Sequence, residues 1–207
     1  MAGPFVIAVT GGAGAGKTTA AGFFAARGGV VVLAADDYAR RFLEDPAVVD
    51  GLVRSFGAGI LDEAGAIDRK ALADIAFASA GALARLDAVM HPSIVRAMIA
   101  DLDALVAAES PPQFAVLDVP LLASVPAVLS RCDAVVALEA PVDVRVRRLE
   151  SRGLTPADSL RRITLQPSDA DRRALATDVV VNDGSSEDLA ARLGPLWDDL
   201  AERAAAR

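Results

Sequence analysis

A single cysteine, Cys132, in 207 residues leaves no intramolecular disulfide and no cysteine-cluster metal site to be made. Lysine is nearly absent too: only Lys17 and Lys70 accompany 19 arginines, and 28 acidic residues bring the net charge to −7. A balance of that sign argues against a nucleic-acid binder, whose affinity comes largely from neutralising phosphates. Aromatics make up 4% of the chain against 53% hydrophobic residues, so the core must be packed mainly with Ala, Val and Leu. No apolar run approaches the ~20 residues that a membrane helix needs. The start, MAGPFVIAVTGG, has no basic region ahead of its short apolar run and does not read as a signal peptide. A soluble, cytoplasmic chain without a membrane partner is the expectation. An acidic surface without heptads gives no partner signal, which fits a monomer or weak homo-oligomer.

What is present alternates. The runs PFVIAV (4–9), VVVL (30–33), FAVLD (114–118), DAVVAL (133–138) and DVVVN (178–182) have the length and β-branched character of strands buried on both faces. Helical patterns separate them, which predicts an α/β fold with a five-stranded parallel sheet between layers of helices. Asp45-Pro46 and Thr155-Pro156 each put a capping oxygen before a proline at the first helical position. Asp68 can cap the segment from 69 to about 80, Ser185 with Asp188 resembles a capping box, and Gly153 is placed to end the helix that begins after Pro141. His91-Pro92 should break one helix and start another. At this length one domain is expected. Its core covers about 1–41, 111–144 and 174–207, with a helical lobe at about 42–110 and a second insertion at about 145–173.

The stretch Gly11-Gly12-Ala13-Gly14-Ala15-Gly16-Lys17-Thr18 fits G-x-x-x-x-G-K-[ST] without a mismatch, between an expected strand and an expected helix. Glycines let successive backbone N–H groups of Gly12, Ala13, Gly14, Ala15, Gly16, Lys17, Thr18 and Thr19 converge on phosphate oxygens, and the helix N-terminus adds its dipole. Lys17 can reach the β- and γ-phosphates of ATP, and the Thr18 hydroxyl can ligate Mg²⁺. A GTPase would carry N-K-x-D, but the only asparagine, Asn182, is followed by Asp183-Gly184. Asp36, just past the second strand, lies where ligands bind in open α/β sheets and could accept the proton of an attacking hydroxyl. Asp118 ends the third strand, where a carboxylate commonly holds Mg²⁺ directly or through water. Eight arginines (145, 147, 148, 152, 161, 162, 172 and 173) fall in the second insertion, as in a lid that closes over phosphates. Arg148 and Arg152 are four residues apart on one helical face.

Over nearly its whole length the chain resembles the dephospho-coenzyme A kinase family. The resemblance is carried by VTGGAGAGKTTAAGFF, AADDYARRF, FGAGILDEAGAIDRKALADIAF, HPSI, VLDVPLL, CDAVVAL, RRLESRGLTPADSLRRITLQ and DVVVNDG. It implies a P-loop fold whose helical lobe binds the acceptor and whose arginine-rich segment is a lid. It also implies transfer of the ATP γ-phosphate to the ribose 3′-hydroxyl of dephospho-CoA, the last step of coenzyme A synthesis. The family pattern assigns the base to Asp36 and matches Arg148, Arg152, Arg162 and Gln166 in the lid. It gives Arg40, Arg69 and His91 as candidates for acceptor binding. The loop of Asn182 and Gly184 lies against adenine in such kinases. The chain departs from the pattern twice. Its D-A-D reads Ala34-Ala35-Asp36, and Ser124 stands where Glu is usual. Two other readings remain open at this level: another small-molecule P-loop kinase, acting on a nucleoside monophosphate or a sugar acid, and an ATP-binding regulator without transfer activity.

Overall fold

In the computed structural model, which describes residues 3–207, five strands form one parallel sheet. They are β1 (Phe5–Gly11), β2 (Val30–Ala34), β3 (Phe114–Asp118), β4 (Ala134–Glu139) and β5 (Asp178–Val181), in spatial order β2-β3-β1-β4-β5. Between them run α1 (Lys17–Ala25), α2 (Ala35–Phe42), α3 (Pro46–Phe56), α4 (Arg69–Ala76), α5 (Ala80–Ala107), α6 (Pro126–Leu129), α7 (Val142–Glu150), α8 (Pro156–Leu165) and α9 (Asp169–Arg173), and α10 (Ser186–Ala205) closes the chain.

Alternation along the strands builds the core. Phe5, Ile7 and Val9 of β1 point with Phe114, Val116, Val136 and Leu138 towards Phe24 of α1 and Leu189, Leu193 and Leu200 of α10. Val6, Ala8, Ala115, Leu117, Val135 and Ala137 on the alternate positions are just as buried, so the three inner strands are covered on both faces. Trp197 packs in the first cluster, 4.5 Å from Phe114 between ring centroids. The outer strands differ from the sequence expectation: β2 is only half-buried and β5 is largely exposed. Both lie at the edges of the sheet, where one flank of the strand has no neighbour.

The capping expectations hold at Asp45, Asp68 and Thr155, whose side chains accept N–H groups of the first turn. Ser185 and Asp188 form a complete capping box. His91-Pro92 does not break the chain into two helices, because α5 runs through it. A proline inside a helix costs about 3 kcal/mol. Here Met90, Ile94, Met98 and Leu102 bury one side chain every four residues on both sides of Pro92, and that continuous stripe keeps the helix intact.

Two compact units emerge. One comprises the sheet with residues 99–207 and the chain up to Ala34; the other is Ala35–Met98, holding α2, α3, α4 and the first part of α5.

Candidate active site

The chain leaves β1 at Gly11, turns, and enters α1 at Lys17. Two glycines show why the turn requires that residue. Gly16 caps α1 with φ 103°, a backbone that side-chain-bearing residues rarely adopt, and a Cβ there would lie 2.2 Å from Asn182 Nδ2. At Gly12 a Cβ would come within 2.1 Å of Arg145 Nη2. The loop is therefore built around two side chains from far along the chain, Arg145 of α7 and Asn182 just after β5.

Those side chains also decide which way the loop's peptide groups face. Five consecutive carbonyls have donors: Gly12 takes Ala15 N–H (3.0 Å), Ala13 takes Arg145 Nε (2.8 Å), Gly14 takes Arg148 Nη1 (3.3 Å), Ala15 takes Asn182 Nδ2 (2.8 Å) and Gly16 takes Ala20 N–H (3.0 Å). The bond from Ala20 is the first turn of α1 closing on its N-cap, so the amides of Lys17, Thr18 and Thr19 have no intrahelical acceptor. With the carbonyls held aside and the helix dipole added, the concave side of the loop is a site for a phosphate chain. Thr18 and Thr19 are exposed at its mouth.

Arg148, expected over phosphates, has its guanidinium on protein oxygens instead. It donates to Asn182 O and Oδ1 (3.0 Å each), Gly184 O (2.8 Å) and Gly14 O. It thus ties the loop after β5 to the P-loop. Burial draws its pKa down, the nearby charges of Arg152 and Arg147 add to that, and Asp183 opposes it. Arg152 itself is exposed.

The other arginines of the segment mostly meet carboxylates. Arg145 and Arg172, both buried, share Asp169 at 3.5 and 3.1 Å. Burial lowers both pKa values against the pull of that carboxylate, and Arg145 Nη2 and Arg172 Nε and Nη2 are buried without a hydrogen-bond acceptor. Arg173 grips Glu139 at the end of β4, its Nε 3.0 Å from Oε1. Arg147 and Arg161 pair with Asp143 and Asp158 on exposed helix faces, where such pairs add little. A residue outside the arginine cluster completes the ties: Gln166, at the end of α8, accepts the Ala13 N–H through Oε1 at 2.7 Å.

Asp118 is buried at the carboxyl end of β3, in register with Val9 of β1 and Ala34 of β2. No cluster of three or more His, Cys, Asp or Glu suited to a metal exists among the described residues. A hydroxyl at Thr18 and a carboxylate at Asp118 are oxygen donors too few to cage an ion alone. That fits Mg²⁺, which keeps water and takes substrate phosphate oxygens as its other ligands.

The remaining expected residues lie in the second unit. Asp36 is exposed in the first turn of α2, two residues after Ala34, and Arg40 on the same helix pairs with Asp37. Arg69 opens α4 behind its cap Asp68 and is exposed. His91 lies half-buried in α5, with Nε2 3.4 Å from Asp87 Oδ1. Burial raises the Asp87 pKa, and the charge of His91 works against that. No helix among the described residues is long and apolar enough to cross a membrane.

At the P-loop the sequence did not single out Arg145, and it matched Gln166 only as part of the lid. Arg145 was one of eight arginines with nothing to mark it, and Gln166 carried only its place in the Arg-Ile-x-x-Gln pattern.

Comparison with known proteins places the chain among its relatives. A family profile described as dephospho-CoA kinase matches residues 5–188. A dephospho-CoA kinase of Frankia casuarinae is 38% identical over 201 residues, covering 96% of this chain and 85% of its own. One from Anaeromyxobacter dehalogenans is 41% identical over 198 residues, covering 94% and 92%. A crystal structure from Thermus thermophilus is 34% identical with a TM-score of 0.73, covering 97% of this chain and 98% of that one.

Proposed function

The chain belongs to the dephospho-CoA kinase family, a family of ATP-dependent P-loop kinases, and on that premise we propose that it phosphorylates the ribose 3′-hydroxyl of dephospho-CoA. The observation that carries the reading is the P-loop at the N-terminus of α1, with its carbonyls held by Arg145, Arg148 and Asn182 and so turned away from an incoming anion. The phosphate chain of ATP lies in the loop from Gly12 to Thr19, at the N-terminus of α1, and Lys17 neutralises its β and γ groups. Thr18 and Asp118 would hold Mg²⁺, which when bound offsets charge on the β- and γ-oxygens. The adenine end rests on the loop of Asn182 and Gly184.

Asp36 orients the 3′-hydroxyl and takes its proton. The 3′-oxygen forms the new bond to the γ-phosphorus, the bond to the β–γ bridging oxygen breaks, and ADP leaves. Arg40, Arg69 and His91 hold the acceptor. Arg152 meets the charge on the transferred group, while Arg148, fixed on carbonyls, keeps the two nucleotide loops together. Water, the competing acceptor, is excluded when the α8 segment closes. The same reading makes the protein a cytoplasmic enzyme acting on a small molecule, monomeric or weakly homo-oligomeric, without nucleic-acid or membrane partners.

The test is ADP release with dephospho-CoA, with AMP and with no acceptor, and phosphorus NMR of the product. Release that depends on dephospho-CoA and yields a 3′-phosphate supports the reading. Equal release in all three reactions, or preference for AMP, overturns it.

A further inference from the structure

The lid segment touches the P-loop peptide of Ala13 from two directions. Arg145 Nε donates to the Ala13 carbonyl at 2.8 Å, and Gln166 Oε1 accepts the Ala13 N–H at 2.7 Å. Arg145 is buried, 3% exposed, and paired with Asp169. Gln166 is placed differently. It is the C-cap of α8 with extended backbone (φ −90°, ψ 158°), and the capping box of Ser168 and Asp171 starts α9 two residues later. α9 in turn is fixed to the sheet by Arg173 on Glu139. Gln166 therefore stands at the junction where α8, with Arg161 and Arg162, ends and the chain passes to the anchored α9.

The orientation of the side-chain amide follows from its partner. A backbone N–H requires an acceptor, so the oxygen faces Ala13 and the nitrogen, with two protons to donate, is left beside the same stretch of loop. Among the described residues no acceptor takes those protons. An amide that holds a loop N–H, on the residue where the lid helix α8 ends, links two parts that must be in place together. Those parts are the shape of the phosphate-binding turn and the root of the helix that excludes water.

We propose that Gln166 is a positioning residue for phosphoryl transfer, coupling the α8 helix of the lid to the Ala13 peptide of the P-loop. The proposal rests on the kinase reading above and adds to it a residue that acts through others. Gln166→Met keeps size and apolar contacts but loses the acceptor. Gln166→Glu keeps an acceptor for the Ala13 N–H while adding charge near the phosphates.

The experiment measures kcat and KM for ATP, ATP hydrolysed per phosphoryl transferred, melting temperature and the nitrogen-15 amide resonance of Ala13, in wild type and both variants. For Gln166→Met the expected result is an upfield shift and faster exchange of the Ala13 amide, with kcat down about 10- to 100-fold, the scale of a misplaced reacting group. KM for ATP and melting temperature stay near those of the wild type, and more ATP is lost to water per transfer. Gln166→Glu should hold the Ala13 resonance and most of kcat, with KM for ATP raised by repulsion. Two results overturn the proposal: a Gln166→Met enzyme with kcat within twofold of wild type, or losses of kcat that track melting temperature in both variants while the Ala13 amide stays put. If the wild type binds ATP but transfers nothing, the kinase reading fails. The coupling is then judged by the Ala13 resonance and acceptor-free hydrolysis, and it falls if Gln166→Met changes neither.

Discussion

Replacing Asn182 by alanine should loosen the nucleotide site from behind, without touching any group proposed to meet ATP through its side chain. Asn182 is 4% exposed, donates to Ala15 O at 2.8 Å and accepts from Arg148 Nη2 at 3.0 Å. Losing the neutral bond costs about 1 kcal/mol, and stranding the Ala15 carbonyl adds a desolvation penalty of about 1–3 kcal/mol. The Arg148 bond adds less than its charge implies, because that guanidinium keeps Gly184 O and Asn182 O as acceptors. The sum is about 3 kcal/mol. At ~2–4 °C per kcal/mol for a chain of this size, the melting temperature should fall by roughly 6–12 °C. Asn182→Asp is the sharper form of the test. It keeps an acceptor for Arg148 but turns a carboxylate oxygen on the Ala15 carbonyl, so it should destabilise at least as much. Circular dichroism melts of the three proteins at neutral pH read the effect directly. A drop under 2 °C for both variants would refute the claim that this side chain carries the P-loop.

Two further outcomes follow from local geometry. Gly12→Ala pushes a Cβ to 2.1 Å from Arg145 Nη2, on a guanidinium whose Nε is held by Ala13 O and whose Nη1 faces Asp169. Overpacking of that kind costs about 1–3 kcal/mol, and the rise in melting temperature that ATP gives the wild type should shrink. Gly22→Ala in α1 meets nothing within 4 Å and should instead stabilise by about 0.5–1 kcal/mol, which makes it the control. Cys132 should resist alkylation. Burial, with help from the charge of Asp133, lifts its pKa from 9.0 to about 12. Its thiolate fraction at pH 8 is then about a thousandfold lower than that of an ordinary thiol, and iodoacetamide labelling of the native protein should be slow until denaturant is added.

The strands were legible because each is a short run of β-branched residues, and Asp45, Thr155 and Ser185 marked helix starts with chemistry that works within one turn. Edge position is not written in such a run. VVVL and DVVVN look like the inner strands, and only the order of the sheet shows that β2 and β5 have a single neighbour. Pro92 misled for a related reason: its local preference was outweighed by a buried stripe on either side, and stripes of that kind are settled by packing. In the site, the P-loop could be read because its spacing lies within eight residues. The side chains that give the loop its shape could not, since Arg145 and Gln166 stand 132 and 153 residues from Ala13. Arg148 shows the same limit. Its four-residue spacing from Arg152 pointed to phosphates, while the structure turns it on carbonyls of two loops that only the fold brings together.

The most direct test of the account is single-turnover transfer from ATP to dephospho-CoA by wild type and Asp36→Asn, with ATP affinity measured in parallel. If Asp36 is the base, the variant should bind ATP like the wild type and transfer roughly 100-fold more slowly or worse, the usual effect of losing an acid–base group. Near-normal transfer by Asp36→Asn, in a wild type that does phosphorylate dephospho-CoA, would contradict the mechanism proposed for this site.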